Sequence, residues 1–97
     1  MKRGYVYIIT NKTRSTFYIG VTSDIVTRIY HHKQGIGGKF ASRYKAYYLI
    51  YYEMHDSIVE AIRREKQLKK WERAWKERLV RSVNPEMRDL WDEIITR

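Results

Sequence analysis

The sequence contains no cysteine among its 97 residues. Disulfide bridges and thiolate metal sites are therefore excluded, and the composition fits a reducing compartment, so we expect a cytoplasmic protein. The sequence also lacks any apolar run long enough to cross a bilayer. No basic-then-apolar leader precedes the first strand-like segment, so we expect no signal peptide and no membrane association.

Acidic residues are few relative to basic ones. Lysine and arginine total 20 against 11 aspartates and glutamates, which gives a net charge of +9. Such a field concentrates polyanions at the surface, and it favours nucleic acid as the partner. An anionic membrane surface and simple solubility are the alternatives. The length fits one compact domain over residues 1–97, which we expect to be a monomer.

Three segments rich in β-branched and aromatic residues predict strands, at 5–9, 17–20 and 47–52. The first two are predicted to form a hairpin. The third has no polar face before Glu53, which predicts a central position in its sheet. Ser57 and Glu60 form a capping box that opens a long helix, predicted to run to about residue 71 and to continue or restart at 72–75.

Glycine and proline are scarce, and each marks a boundary. Asp24 supplies an N-cap for a first helix that Gly35 ends near residue 34, and residues 35–38 are predicted to be a flexible loop. Pro85 follows the long helix and is predicted to open a short C-terminal helix. The predicted order β-β-α-β-α-α describes an α+β domain with a three-stranded antiparallel sheet flanked by helices.

Glu65 is an acid within an apolar helical stripe. The stripe that we expect to be buried consists of Ile58, Ala61, Ile62 and Leu68. Burying a carboxylate costs several kcal/mol unless it is paired or bound to metal. Two interpretations stay open, an ion pair with Lys69 at i+4 and a functional carboxylate.

Arg28 and His32 lie one helical turn apart. The planar guanidinium of Arg28 suits phosphate recognition, although a surface arginine is the alternative. His32 is expected at the surface. The adjacent His31 points about 100° away from it on a helix, so the two cannot easily share one ion.

The most basic stretch lies within residues 63–81 and contains Arg63, Arg64, Lys66, Lys69, Lys70, Arg73, Lys76, Arg78 and Arg81. Its density of charge is compatible with tracking a nucleic-acid backbone. Trp71 and Trp75 are interleaved with these residues. Their i, i+4 spacing continues to Leu79, so we expect both rings to be core.

In this order, the segments Tyr5-Val6-Tyr7 and Tyr18-Ile19-Gly20, then Arg28, Glu65 and Asn84, resemble the GIY-YIG endonuclease superfamily. More narrowly, the chain looks like the small stand-alone GIY-YIG proteins of bacteria. The resemblance implies a divalent-metal-dependent endonuclease that hydrolyses DNA, with RNA as an alternative substrate, in repair or recombination. A non-catalytic nucleic-acid-binding module with the same fold, or a structural protein, is the alternative.

The resemblance also implies roles for the matching residues. Tyr7 would act as general base beside the attacking water, and Tyr18 would contact that water or the scissile phosphate. Gly20 would allow close packing, and Arg28 would neutralise charge in the transition state. We expect positive charge from Arg28 or from the metal ion to lower the pKa of Tyr7.

Three further roles follow from the same resemblance. Glu65 would be the sole protein ligand of a single Mg²⁺ or Mn²⁺ ion, and Asn84 would support the site by hydrogen bonds. His32 matches a histidine of some restriction-enzyme relatives and is the alternative general base. The family pattern is not complete, because Tyr5 and Val6 replace its glycine and isoleucine, and Val21 stands where repair-type members have lysine.

Overall fold

The computed structural model describes residues 2–96. The elements, in chain order, are β1 (Gly4–Thr10), β2 (Phe17–Thr22), α1 (Ile25–Lys33), α2 (Lys39–Arg43), β3 (Tyr48–His55), α3 (Ile58–Lys69), α4 (Arg73–Val83) and α5 (Trp91–Ile95). The α+β class and the three-stranded antiparallel sheet are confirmed. The order is β-β-α-α-β-α-α-α, so two more helices are present than the sequence predicted.

The strands lie in the order β2-β1-β3, and β1 pairs antiparallel with both neighbours. The prediction that the third strand is central was wrong, because β3 is an edge strand. It is apolar because helices cover both faces of the sheet. Ile50 belongs to the core on the α3–α4 side, while Leu49 belongs to the core on the α1–α5 side.

Helix caps form at three predicted boundaries, although only the Ser57 half of the predicted capping box is present, because the Glu60 carboxylate accepts from Arg63. Asp24 accepts a hydrogen bond from the Thr27 amide at the start of α1, and Ser57 accepts one from the Glu60 amide at the start of α3. Gly35 follows the end of α1 with a φ of 77°, which is the left-handed conformation that favours glycine.

The expected flexible loop at residues 35–38 leads into α2, which the sequence did not predict. Only Ala41 of its five residues is buried, so the helix is too short to show a periodic stripe. The C-terminal helix begins at Trp91 rather than at Pro85. The segment before it runs along β3 instead, where the Leu90 amide donates to the Leu49 carbonyl at 2.7 Å.

The predicted long helix is broken between Lys69 and Arg73. Because the break changes the helical phase, Trp75 does not continue the buried stripe and is 54 % exposed. Trp71 is only partly buried against the core. The prediction of two core tryptophans was therefore wrong. Ile62 was also expected in the core, but it is exposed on α3.

Candidate active site

Tyr7 lies on the central strand, and its ring occupies the space above Gly20 of β2. The two residues are paired in the sheet. A β-carbon at Gly20 would lie 2.3 Å from both Cζ and the hydroxyl of Tyr7, which no real contact allows. The glycine therefore makes room for the phenol.

The Tyr7 hydroxyl connects Arg28 and His32 of α1. Arg28 Nε donates to the Tyr7 oxygen at 3.3 Å, and the hydroxyl lies 3.0 Å from His32 Nε2. Arg28 Nη2 also donates to the Gly37 carbonyl at 2.7 Å. Helical spacing of four residues places Arg28 and His32 on one face of α1, so that both reach the same hydroxyl.

His32 is 1 % exposed, so the expectation of a surface histidine was wrong. Its Nδ1 is buried without a hydrogen-bond partner among the described residues. It faces Gly37, where a β-carbon would approach Nδ1 to 2.2 Å. Burial, followed by the charges of Arg28 and His31, lowers the pKa of His32 to about 4. The imidazole is therefore neutral at pH 7.

Tyr7 is as buried as His32. Burial raises the pKa of Tyr7, although the hydrogen bond and the charge of Arg28 act in the opposite direction. Arg28 therefore lowers the pKa of Tyr7 as expected, but removing the phenol from water outweighs the nearby guanidinium, so the net shift is upward. Tyr7 is a neutral phenol near pH 7.

Tyr18 of β2 begins a row of rings that leads from the enclosed histidine to the surface. Its ring centroid lies 5.9 Å from that of His32 and 5.5 Å from that of Phe40 on α2. Phe40 lies 4.7 Å from Tyr44, and both of these rings are partly exposed. Gly37 and Phe40 were not predicted as site residues, because their contribution depends on the unpredicted helix α2 and the turn before it.

Glu65 of α3 lies near this cluster. Its negative charge is among the contributions that raise the pKa of Tyr7, which places the carboxylate within electrostatic range of the phenol. The side chain is 13 % exposed, and Lys69 Nζ lies 3.1 Å from its Oε2. Both interpretations of Glu65 are thus compatible with its position, since the ion pair forms without removing the carboxylate from the site.

Within residues 2–96, no three His, Asp or Glu side chains converge as a metal-binding group. A single carboxylate still fits Mg²⁺, because this ion retains several waters and is often held by one or two carboxylates together with substrate phosphate. Glu65 is a hard oxygen donor within electrostatic range of the Tyr7 phenol, so its chemistry suits such an ion.

Asn84 does not join the cluster. Its side chain is buried, and its Nδ2 donates to the carbonyls of Ile50 and Arg88, both at 2.9 Å. Its Oδ1 accepts from the Arg88 amide at 3.2 Å. All three contacts are with backbone, so Asn84 fastens the end of α4 to β3 and does not line a surface with Tyr18 and Arg28.

The geometry describes an enclosed tyrosine–histidine–arginine network with a carboxylate nearby. The model of the GIY-YIG catalytic domain matches residues 3–78, and the chain belongs to this family. Membership implies a nuclease-type catalytic domain that binds nucleic acid, and GIY-YIG nucleases generally use a divalent metal. Among residues 2–96, no helix is long and apolar enough to cross a membrane.

Small bacterial proteins resemble the chain over most of its length. A UPF0213 protein of Staphylococcus haemolyticus is 36 % identical over 80 residues, which are 82 % of this chain and 96 % of that protein. A UPF0213 protein of Syntrophus aciditrophicus is 37 % identical over 87 residues, or 89 % and 98 % of the two chains. A UPF0213 protein of Bacillus halodurans, whose solution NMR structure is known, is 32 % identical in sequence. The two structures match with a TM-score of 0.56, and the match covers 87 % of this chain and 88 % of that chain.

Proposed function

We propose that the protein is a divalent-metal-dependent endonuclease that hydrolyses DNA phosphodiester bonds, in repair or recombination. The observation that carries this proposal is the hydrogen-bonded group of Arg28, Tyr7 and His32. In this group, a side chain suited to phosphate binding and a neutral imidazole both contact the same tyrosine hydroxyl. Buried polar networks of this kind are expensive to assemble, which favours a chemical role over simple packing.

Arg28 supplies the phosphate contact in this proposal. Its guanidinium uses Nε on Tyr7 and one Nη2 hydrogen on Gly37, so the other N–H groups can bind the non-bridging oxygens of a phosphate. Charge developing on those oxygens in the transition state is stabilised by a positive group that is already in place.

The hydrogen bonds also define a path for the proton. The Tyr7 oxygen accepts from Arg28 and lies 3.0 Å from His32 Nε2. In the neutral tautomer that carries its hydrogen on Nδ1, His32 Nε2 accepts the Tyr7 hydrogen. As water attacks phosphorus, Tyr7 can take the water proton while passing its own to His32. No free phenolate is needed, so the raised pKa of Tyr7 does not prevent the reaction. Tyr18 packs against His32 and keeps its ring in position.

Glu65 would hold the metal ion. When bound, the ion would polarise the phosphate and stabilise the departing 3′ oxygen. Lys69 neutralises the carboxylate and would have to swing away. More than half of the Lys69 side chain is exposed, so that movement costs little.

A non-catalytic nucleic-acid-binding module remains the second candidate, and one observation favours it. Tyr7 is only 1 % exposed, and Lys69 forms an ion pair with Glu65, so the site is closed to water and to a metal ion in this conformation. If it stays closed on DNA, the protein binds without cleaving.

The test is nicking of supercoiled plasmid by the purified protein with Mg²⁺ or Mn²⁺. Glu65→Gln keeps the shape of the side chain but removes the charge, and we expect a loss of roughly 100-fold or more. Glu60→Gln makes the same change on the exposed surface of the same helix and should retain full activity. Equal rates for both variants would disprove the metal assignment, and binding without any nicking would favour the second candidate.

A further inference from the structure

Two tryptophans form an exposed ridge where α3 meets α4, and we call Trp71 and Trp75 the tryptophan ridge. Their ring centroids lie 5.7 Å apart, with the planes nearly perpendicular. Trp75 is 54 % exposed, whereas Trp71 packs partly against the core. An exposed indole of this size costs solvation free energy and is unusual without a binding role.

Two arginines hold the ridge in place against the sheet. Arg64 lies 5.3 Å from the centroid of the Trp71 ring and donates from Nε to Glu53 of β3 at 2.8 Å. On the other side of the break, Arg73 stacks 3.8 Å above Phe17 and donates to the Ser15 carbonyl at 2.7 Å. The tryptophans are therefore positioned before any partner arrives, which lowers the entropic cost of binding.

Grooves open on both sides of the ridge. One has a volume of about 430 Å³ and is lined by Trp71, Trp75, Arg78, Leu79 and Ser82. The other has a volume of about 490 Å³ and is lined by Arg63, Lys66, Gln67, Lys70 and Trp71. Each groove combines an aromatic or aliphatic wall with cationic side chains at its rim.

The charge around the ridge is mostly unpaired. Among the described residues, Lys66, Lys70 and Arg78 have no ion-pair partner, while Arg63 pairs with Glu60 at 3.3 Å. Glu72 borders the ridge and partly offsets this charge. Cations beside exposed aromatic rings complement a ligand that has flat apolar faces joined by anionic groups.

We propose that the tryptophan ridge binds unpaired nucleotides of single-stranded nucleic acid. A base stacks on Trp75, while Lys66, Lys70 and Arg78 contact the phosphates on either side. The site goes beyond the proposed nuclease activity, because Lys66 on α3 and Lys70 just after it are exposed, and neither Arg28 nor Glu65 takes part. It would direct the protein to DNA that carries an unpaired segment.

The test uses the full chain in EDTA, where metal-dependent cleavage cannot occur. Binding of a fluorescein-labelled oligo-dT of roughly 12 nucleotides is measured by anisotropy, beside a duplex of equal length. We expect Trp75→Ala to weaken oligo-dT binding roughly 5- to 100-fold and to change duplex binding little. Tyr30→Ala removes a similarly exposed aromatic ring from α1 and should bind as the unmodified protein does.

Two further readouts separate stacking from attraction by charge. Oligo-dT should quench tryptophan fluorescence of the unmodified protein, and most of that quenching should be absent in Trp75→Ala. Replacing both Lys66 and Lys70 by alanine should lower the slope of log affinity against log salt by roughly 0.7 for each lysine.

Unchanged oligo-dT affinity in Trp75→Ala would overturn the proposal. The proposal would also be overturned if Trp75→Ala changed only self-association, measured by light scattering. That result would identify a second copy of this chain as the partner that binds the ridge. Plasmid nicking separates this proposal from the nuclease. Quenching without nicking would disprove only the nuclease, and normal nicking without quenching would disprove only the ridge proposal.

Discussion

The enclosed site and the tryptophan ridge use aromatic side chains in opposite ways. At the site, Tyr7 and His32 are buried, and their polar atoms meet each other and Arg28. At the ridge, Trp75 shows its ring to solvent beside cations that lack acidic partners among residues 2–96. Burial shifts the pKa values of Tyr7 and His32, whereas exposure leaves the Trp75 ring open to stacking. Under the two proposals, one basic domain would separate chemistry from capture of the substrate.

The largest expected effect is on the chemical step. Arg28→Ala should reduce the rate of plasmid nicking at saturating DNA by roughly 100- to 1000-fold, because it removes a preorganised positive charge from the transition state. Arg63→Ala changes an exposed arginine near the ridge and should leave that rate unchanged. If the two variants lost saturating rate equally, the separation between the two regions would fail.

The next effect concerns the pH dependence of folding stability, which reports whether His32 is buried as a neutral imidazole. The pKa of His32 falls from 6.5 to about 4 on folding, so between these values the unfolded chain binds more protons than the folded one. Folding stability contributed by neutral His32 is therefore present above pH 6.5 and is lost as pH falls towards 4. The shift corresponds to about 3 kcal/mol.

Urea unfolding followed by circular dichroism between pH 7 and pH 4 measures this loss. His32→Gln should flatten the pH dependence relative to the unmodified protein, and the difference between the two removes the contribution of titrating carboxylates. His31→Gln, a neighbouring change on α1, should keep most of the slope. Parallel curves for the unmodified protein and His32→Gln would show that His32 is not buried in its neutral form.

The two regions also show what sequence patterns can and cannot predict. Strands β1 and β2 and the caps at Asp24 and Ser57 follow from local propensity and hydrogen bonding, and the structure agrees with them. Helix α2 was missed because its contacts come from distant β2, through the stacking of Phe40 on Tyr18. Local periodicity does not report such contacts.

The errors of burial at His32 and Trp75 have opposite signs and one origin. His32 was expected at the surface. It is buried because its ring fits the space left by Gly37 and contacts the Tyr7 hydroxyl. Trp75 was expected in the core, but the break after Lys69 turns it to solvent. Each depends on tertiary placement of another segment, so neither could be read from the helix alone. The resemblance grouped Tyr7, Arg28 and His32 without predicting how deeply they are enclosed.

The smallest expected effect concerns Lys69, which lies between the two regions on α3. Its ammonium is 3.1 Å from Glu65 and competes with any metal ion for that carboxylate. Lys69→Ala should therefore tighten Mn²⁺ binding roughly two- to fivefold, as expected for release of a largely exposed ion pair. Isothermal titration calorimetry without DNA measures this directly, and Lys66→Ala provides a control with the same charge change. Because Lys66 lines a groove beside the tryptophan ridge, its replacement should weaken oligo-dT binding and leave Mn²⁺ affinity nearly unchanged. Identical Mn²⁺ affinities for Lys69→Ala and Lys66→Ala would argue that Glu65 serves the ion pair rather than the metal.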